Sequence, residues 1–94
     1  MRKIWKFPLK ILDEQVVEMP KFSKILSVQE KDDGFFVWAE FDEAHQNVPE
    51  LRTFWIRGTG IAFDPKPFER FLFTIVEKYS PLVWHVYDNF GTEE

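Results

Sequence analysis

The chain has no cysteine, only four glycines, and no apolar run of membrane-spanning length. Without cysteine there is neither a disulfide framework nor a thiolate metal centre. Small secreted domains lean on disulfides because their cores are thin, so this absence favours a reducing compartment. Residues 1–7 carry charges and no apolar h-region, which is not a signal-peptide pattern. No stretch approaches the ~20 apolar residues a membrane helix needs. A cytosolic protein with no membrane partner is expected. Cations are also in short supply: twelve Lys and Arg against sixteen Asp and Glu give a formal charge of −4, with a mild basic cluster at Arg2, Lys3, Lys6 and Lys10. Duplex nucleic acid is held mainly by a basic stripe that neutralises phosphates, so it is not expected as a partner.

Rings are what the chain has in excess. Eleven Phe, four Trp and two Tyr stand among 94 residues. Aromatic side chains bury the most area each, so one domain spanning residues 1–94 can build a core without covalent staples.

Strand-like segments run at 4–7, 15–19, 25–29, 35–41, 52–57 and 82–87. Pro8 and Pro20 are expected to stop the first two, because proline cannot donate to a ladder. Asp33-Gly34 is expected to supply the positive φ of a tight hairpin between the third and fourth. Residues 42–50 read as a polar loop and the place for disorder, and residues 89–94 as a frayed tail. Residues 68–79 are ambiguous. Phe68, Phe71, Leu72, Ile75, Val76 and Tyr79 match a helical stripe, whereas Phe71, Phe73 and Ile75 alternate as in a strand. The whole reads as all-β and mainly antiparallel: a small sandwich or partly open barrel of six or seven strands with at most one short helix.

Three segments are apolar on both faces. Phe35, Val37, Ala39 and Phe41 oppose Phe36 and Trp38; Phe54 and Ile56 oppose Trp55; Val83 and Tyr87 oppose Leu82, Trp84 and Val86. A chain this short lacks material for a third layer, so a homo-oligomer or a bound ligand is expected to shield the second face.

Several fragments taken together carry a resemblance: Ile4-Trp5-Lys6-Phe7-Pro8-Leu9, Lys24-Ile25-Leu26-Ser27-Val28-Gln29, Trp38-Ala39, Arg52-Thr53-Phe54 with Ile56, Gly58-Thr59-Gly60, and Val83-Trp84-His85-Val86-Tyr87. The set resembles a family of small proteins encoded by tailed bacteriophages and prophages, with no assigned function. The likeness spans nearly the whole chain. Members carry a strand with a Gly-Thr pair before the final Trp-His segment; Phe73-Thr74 stands there, which favours a strand over 70–77. Members also often place a histidine after the second glycine of the GTG element. Ile61 stands there, so a shared histidine chemistry is not implied. The resemblance implies a phage accessory protein in the cytosol of a bacterial host, of a kind that often inhibits host defence.

The candidate ligand site is Gly58-Thr59-Gly60 with its neighbours. Two glycines allow close backbone approach, and successive N–H groups can hold an anion. Arg52 and Arg57 would add charge-assisted bonds to phosphate, Trp55 and Trp84 would stack a base, and His85 would read a polar edge. The alternative is a plain strand-ending turn. No catalytic residue, metal set or cofactor fingerprint is found: the two histidines are isolated, and there is no nucleophile elbow or P-loop. The expected function is sequestration of a small nucleotide-type signal. The alternatives are a protein-interaction module that occludes a host or virion protein and, further off, a small hydrolase.

Overall fold

The computed structural model describes residues 1–32 and 34–89. Seven strands form in chain order: β1 (Arg2–Leu9), β2 (Glu14–Pro20), β3 (Lys24–Lys31), β4 (Gly34–Asp42), β5 (Pro49–Gly58), β6 (Glu69–Val76) and β7 (Val83–Asn89). The one helical element among the described residues is a 3-10 turn, Glu43–His45. The strands make two antiparallel sheets, ordered β1-β4-β3 and β2-β5-β7-β6, which stack as a sandwich without closing into a barrel.

Alternation decides what lies between the sheets, because successive side chains point to opposite faces. In β4, Phe35, Val37, Ala39 and Phe41 are buried and face the other sheet. In β5 the same role falls to Phe54 and Ile56. Leu9, Met19, Val28, Ile75 and Val86 complete a core to which all seven strands contribute. At one end the core turns ionic. Asp88, fully buried, accepts bonds from Arg52 Nη1 at 3.1 Å and from Arg70 Nε and Nη2 at 3.1 and 2.9 Å.

The elements depart from the sequence expectations at particular places. β1 runs through Pro8 to Leu9. It is an edge strand paired only with β4, so proline's missing N–H leaves no ladder bond broken. In the β3–β4 hairpin, Lys31 faces Gly34. A positive φ is found at Asp32 (56°), and Gly34 opens the returning strand; Asp33 of the expected pair lies outside the described residues. Residues 42–50 are held by local hydrogen bonds. Asp42 Oδ1 accepts from Ala44 N at 2.9 Å, Val48 N donates to His45 O at 2.9 Å, and β5 already begins at Pro49. That bond from Ala44 N also holds the Asp42 carboxyl below its ordinary pKa. The frayed tail expected at 89–94 falls, after Asn89, outside the described residues.

Residues 69–76 form a strand, and a register shift between Phe71 and Phe73 explains the helical appearance. The extra residue, Leu72, packs on the core beside Phe73 and Ile75. The supposed stripe does not share a buried side: Phe68, Phe71, Val76 and Tyr79 are all exposed.

Among the described residues no helix is long and apolar enough to cross a membrane. The missing third layer is supplied in part by the chain itself. Residues 61–68 run over the outer face of the β2-β5-β7-β6 sheet, where Phe63 meets Tyr87 and Arg57, and Trp55 is only 8% exposed there.

Candidate functional site

The sheet leaves a gap at the end of β5. β2 starts opposite Trp55, so Arg57 and Gly58 extend past it. The turn before β2 and the segment after β5 close over this gap and leave a pocket of about 320 Å³. Four of the residues singled out in the sequence, Trp55, Arg57, Gly58 and Trp84, line it. The rest of its polar wall comes from Asp13, Glu14, Asp64 and Lys66.

Arg57 is fully engaged. Its Nη1 and Nη2 donate to Glu69 Oε2 and Oε1 at 2.9 and 2.8 Å, a bidentate pair. The guanidinium also lies against two rings, 3.9 Å from the Phe63 centroid and 4.5 Å from that of Tyr87. Glu69 takes a further bond from Lys66 N at 2.7 Å. The Arg57 bonds hold the Glu69 carboxyl below its usual pKa against the opposing effect of burial, with the Lys66 N–H adding to the depression. The cation is therefore neutralised in place. What the pocket presents beyond that pair is Asp13, Glu14 and Asp64 against Lys66, between the rings of Trp55, Trp84 and Phe63. Both indoles are oriented by carboxylates as well: Trp55 Nε1 donates to Glu14 Oε1 at 3.0 Å, and Trp84 Nε1 to Glu77 Oε2.

The two glycines have different tasks. A Cβ on Gly58 would stand 3.3 Å from both the Trp84 ring and Ile61 Cγ1, so this glycine admits protein side chains over the strand end. Gly60 has φ +83° with open space around it, so it serves the turn itself. Thr59 N donates to Val83 O at 3.3 Å and Ile61 N to Gly58 O at 3.2 Å, so these two N–H groups are occupied within the turn. Thr59 and Gly60 do not line the pocket.

His85 sits on the same outer face, opposite Arg57 in register, but outside the pocket. The Thr59 hydroxyl lies 2.7 Å from Nε2 and the Thr74 hydroxyl 3.1 Å from Nδ1. Either neutral tautomer donates to one hydroxyl and accepts from the other, tying the GTG turn to β6. Arg52 is on the opposite face. It is 4% exposed and bonded to Asp88, Ser23 O at 3.0 Å and Glu50 at 3.3 Å. An odd separation of five residues along one strand puts it and Arg57 back to back.

Sequence reasoning missed Asp13, Glu14, Phe63, Asp64 and Lys66. The only local signal was the Asp64-Pro65-Lys66-Pro67 run, which marks a loop but not where it folds. Among the described residues no group of His, Asp or Glu side chains stands together as a metal set.

A family model, "Domain of unknown function (DUF7352)", matches residues 1–94. No curated protein and no solved structure matches the chain.

Proposed function

The chain belongs to this family of unknown function, and from that premise we propose that it is a protein-interaction module whose pocket at the end of β5 receives a Lys or Arg side chain projecting from a partner protein. The observation that supports this reading is the state of Arg57. With its charge matched by Glu69, the cavity is a slot with aromatic walls and an excess of carboxylates. Rings and carboxylates together favour a cation that is partly withdrawn from water. The resemblance to phage and prophage proteins adds the setting: the cytosol of an infected bacterium, with a host defence protein as partner.

A second reading is supported by the convergence of Trp55, Arg57, Gly58 and Trp84 on one cavity. There the ligand is a small nucleotide signal, its base against an indole and its phosphate taking Arg57 away from Glu69. Exchange of one bidentate acceptor for another makes that possible, at the cost of leaving Glu69 beside the phosphate. Self-association belongs to the proposal too, through apolar side chains still exposed on this outer face, such as Val16, Leu51 and Phe71; sedimentation over a concentration series tests it.

One titration separates the first two readings. Amide NMR shifts are followed with N-acetyl-arginine methylamide, its citrulline analogue, and ADP-ribose. The first reading expects shifts at Glu14, Trp55 and Asp64 with the arginine probe alone, weakened at least several-fold by Asp64→Asn. Shifts with ADP-ribose, abolished by Arg57→Ala, would establish the second. Equal response to arginine and citrulline would remove the cationic reading.

A further inference from the structure

The outer face of the β1-β4-β3 sheet has a charge opposite to that of the whole chain. Register places Arg2 and Lys6 of β1, and Lys24 and Lys31 of β3, on the same side as Phe36 and Trp38 of the central strand β4. Two carboxylates share that side, Glu40 and Asp42. Glu40 pairs with Arg2, and Asp42 caps the 3-10 turn. Lys6, Lys24 and Lys31 make no ion pair among the described residues, in a chain of formal charge −4. The carboxylate-rich pocket, by contrast, lies on the other sheet, at the end of β5.

The rings are arranged as a platform. Phe36 and Trp38 are partly exposed neighbours on one face of β4, their centroids 6.1 Å apart. Lys6 places its ammonium 4.6 Å from the Phe36 centroid, and Ile4 beside it is 57% exposed. A half-exposed strand ordinarily puts polar residues on its outer face. Here two aromatics in tandem stand between a row of cations on β1 and another on β3.

We propose that this face binds single-stranded nucleic acid, two successive bases stacking on Trp38 and Phe36 while the backbone follows the lysines. Stacking on sheet aromatics needs unpaired bases, and every base has a π-face, so the expected preference is for single strands with little dependence on sequence. A duplex offers no free base faces to these rings. The chain's net acidity keeps affinity modest, because only the local field attracts phosphates. This site is separate from the pocket and does not depend on what that pocket holds.

Fluorescence anisotropy with a labelled oligo(dT) of about 12 nucleotides, a length within the site sizes such domains cover, tests the proposal. The expected result is saturable binding that weakens between about 50 and 200 mM salt, with a log–log slope near −2 for three engaged lysines. Lys24→Gln should reduce the slope magnitude by ~0.7. Trp38→Ala should weaken binding by roughly 5- to 100-fold; Trp38→Phe, which keeps a ring and guards against misreading a folding defect, should retain most of it. Asp64→Asn should leave this binding unchanged.

Four results would overturn the proposal. The first is no anisotropy change up to about 100 μM protein at low salt, where even non-specific binders respond. The second is equal affinity for a duplex of the same length. The third is full binding by Trp38→Ala and Phe36→Ala, which would mean Coulombic attraction without stacking. The fourth is a sedimentation shift on Lys24→Gln, which would make the face a contact between copies of this chain.

Discussion

Replacing Glu69 by Gln tests the arrangement that sets the pocket's charge. In the native pair the Arg57 and Glu69 side chains are 8% and 15% exposed. Glutamine keeps one oxygen for the guanidinium but turns an NH₂ toward it in place of the other. One charge-assisted bond is lost, and a buried cation loses its counter-charge. A bond to a charged group contributes ~1.5–3 kcal/mol, and breaking a buried pair from one side costs ~3–5 kcal/mol. Arg57 keeps its stacking on Phe63 and Tyr87, which retains part of this. The expected loss at pH 7 is about 2–3 kcal/mol, or roughly 10–20 °C in Tm for a domain of this size. The pH dependence has a definite sign. Glu69 has its pKa lowered in the folded state, chiefly by the Arg57 bond. Its contribution is therefore complete above the unfolded carboxyl value of about 4.3 and disappears as pH falls through the folded value. Urea unfolding followed by tryptophan fluorescence should show the gap between wild type and E69Q at full size at neutral pH, and closing below about pH 4. A gap under ~0.5 kcal/mol at pH 7, or one that stays constant through the acid range, would refute the claim that Glu69 neutralises Arg57.

Asp88→Asn should destabilise by about 2–4 kcal/mol in the same assay, because Arg52 and Arg70 both lose a charged acceptor at a fully buried position while Arg52 keeps Glu50. Gly60→Ala should cost about 1–2 kcal/mol through its left-handed φ and leave arginine-probe binding intact in the folded protein. Gly58→Ala should act on the site itself: its methyl presses Ile61 and the Trp84 ring, so probe binding falls while Gly60→Ala binding does not.

The layered fold was legible because alternation is a local property. The run Phe35 to Phe41 announces its own two faces, and β4 has them as read. Parity was equally available: Arg52 and Arg57 stand five positions apart, so one had to point into the sandwich and the other out. The bulge at Leu72 was not readable, since one inserted residue makes a strand's alternation mimic a helical stripe. Nor was the site's polar wall. Asp13 and Asp64 lie 51 positions apart in the chain and meet only through the way two loops close over β5. Loop closure of that kind depends on long-range packing, to which local propensity is blind.

The excess of rings that the composition displays is resolved differently on the two sides of the sandwich. Over the β2-β5-β7-β6 sheet the chain folds its own segment 61–68 across the surface, so Trp55 and Arg57 end up nearly as buried as the core. Over the β1-β4-β3 sheet Phe36 and Trp38 keep partial exposure, with lysines around them. Stability does not require rings there, since the inward face of β4 already fills the core with Phe35, Val37, Ala39 and Phe41. A serine or threonine at either outer position would satisfy the same alternation and leave less apolar surface in water. A fold that covers Trp55 and Arg57 with a long loop, and leaves Phe36 and Trp38 open between cations, meets a packing need on one side and leaves on the other the surface proposed above to stack bases.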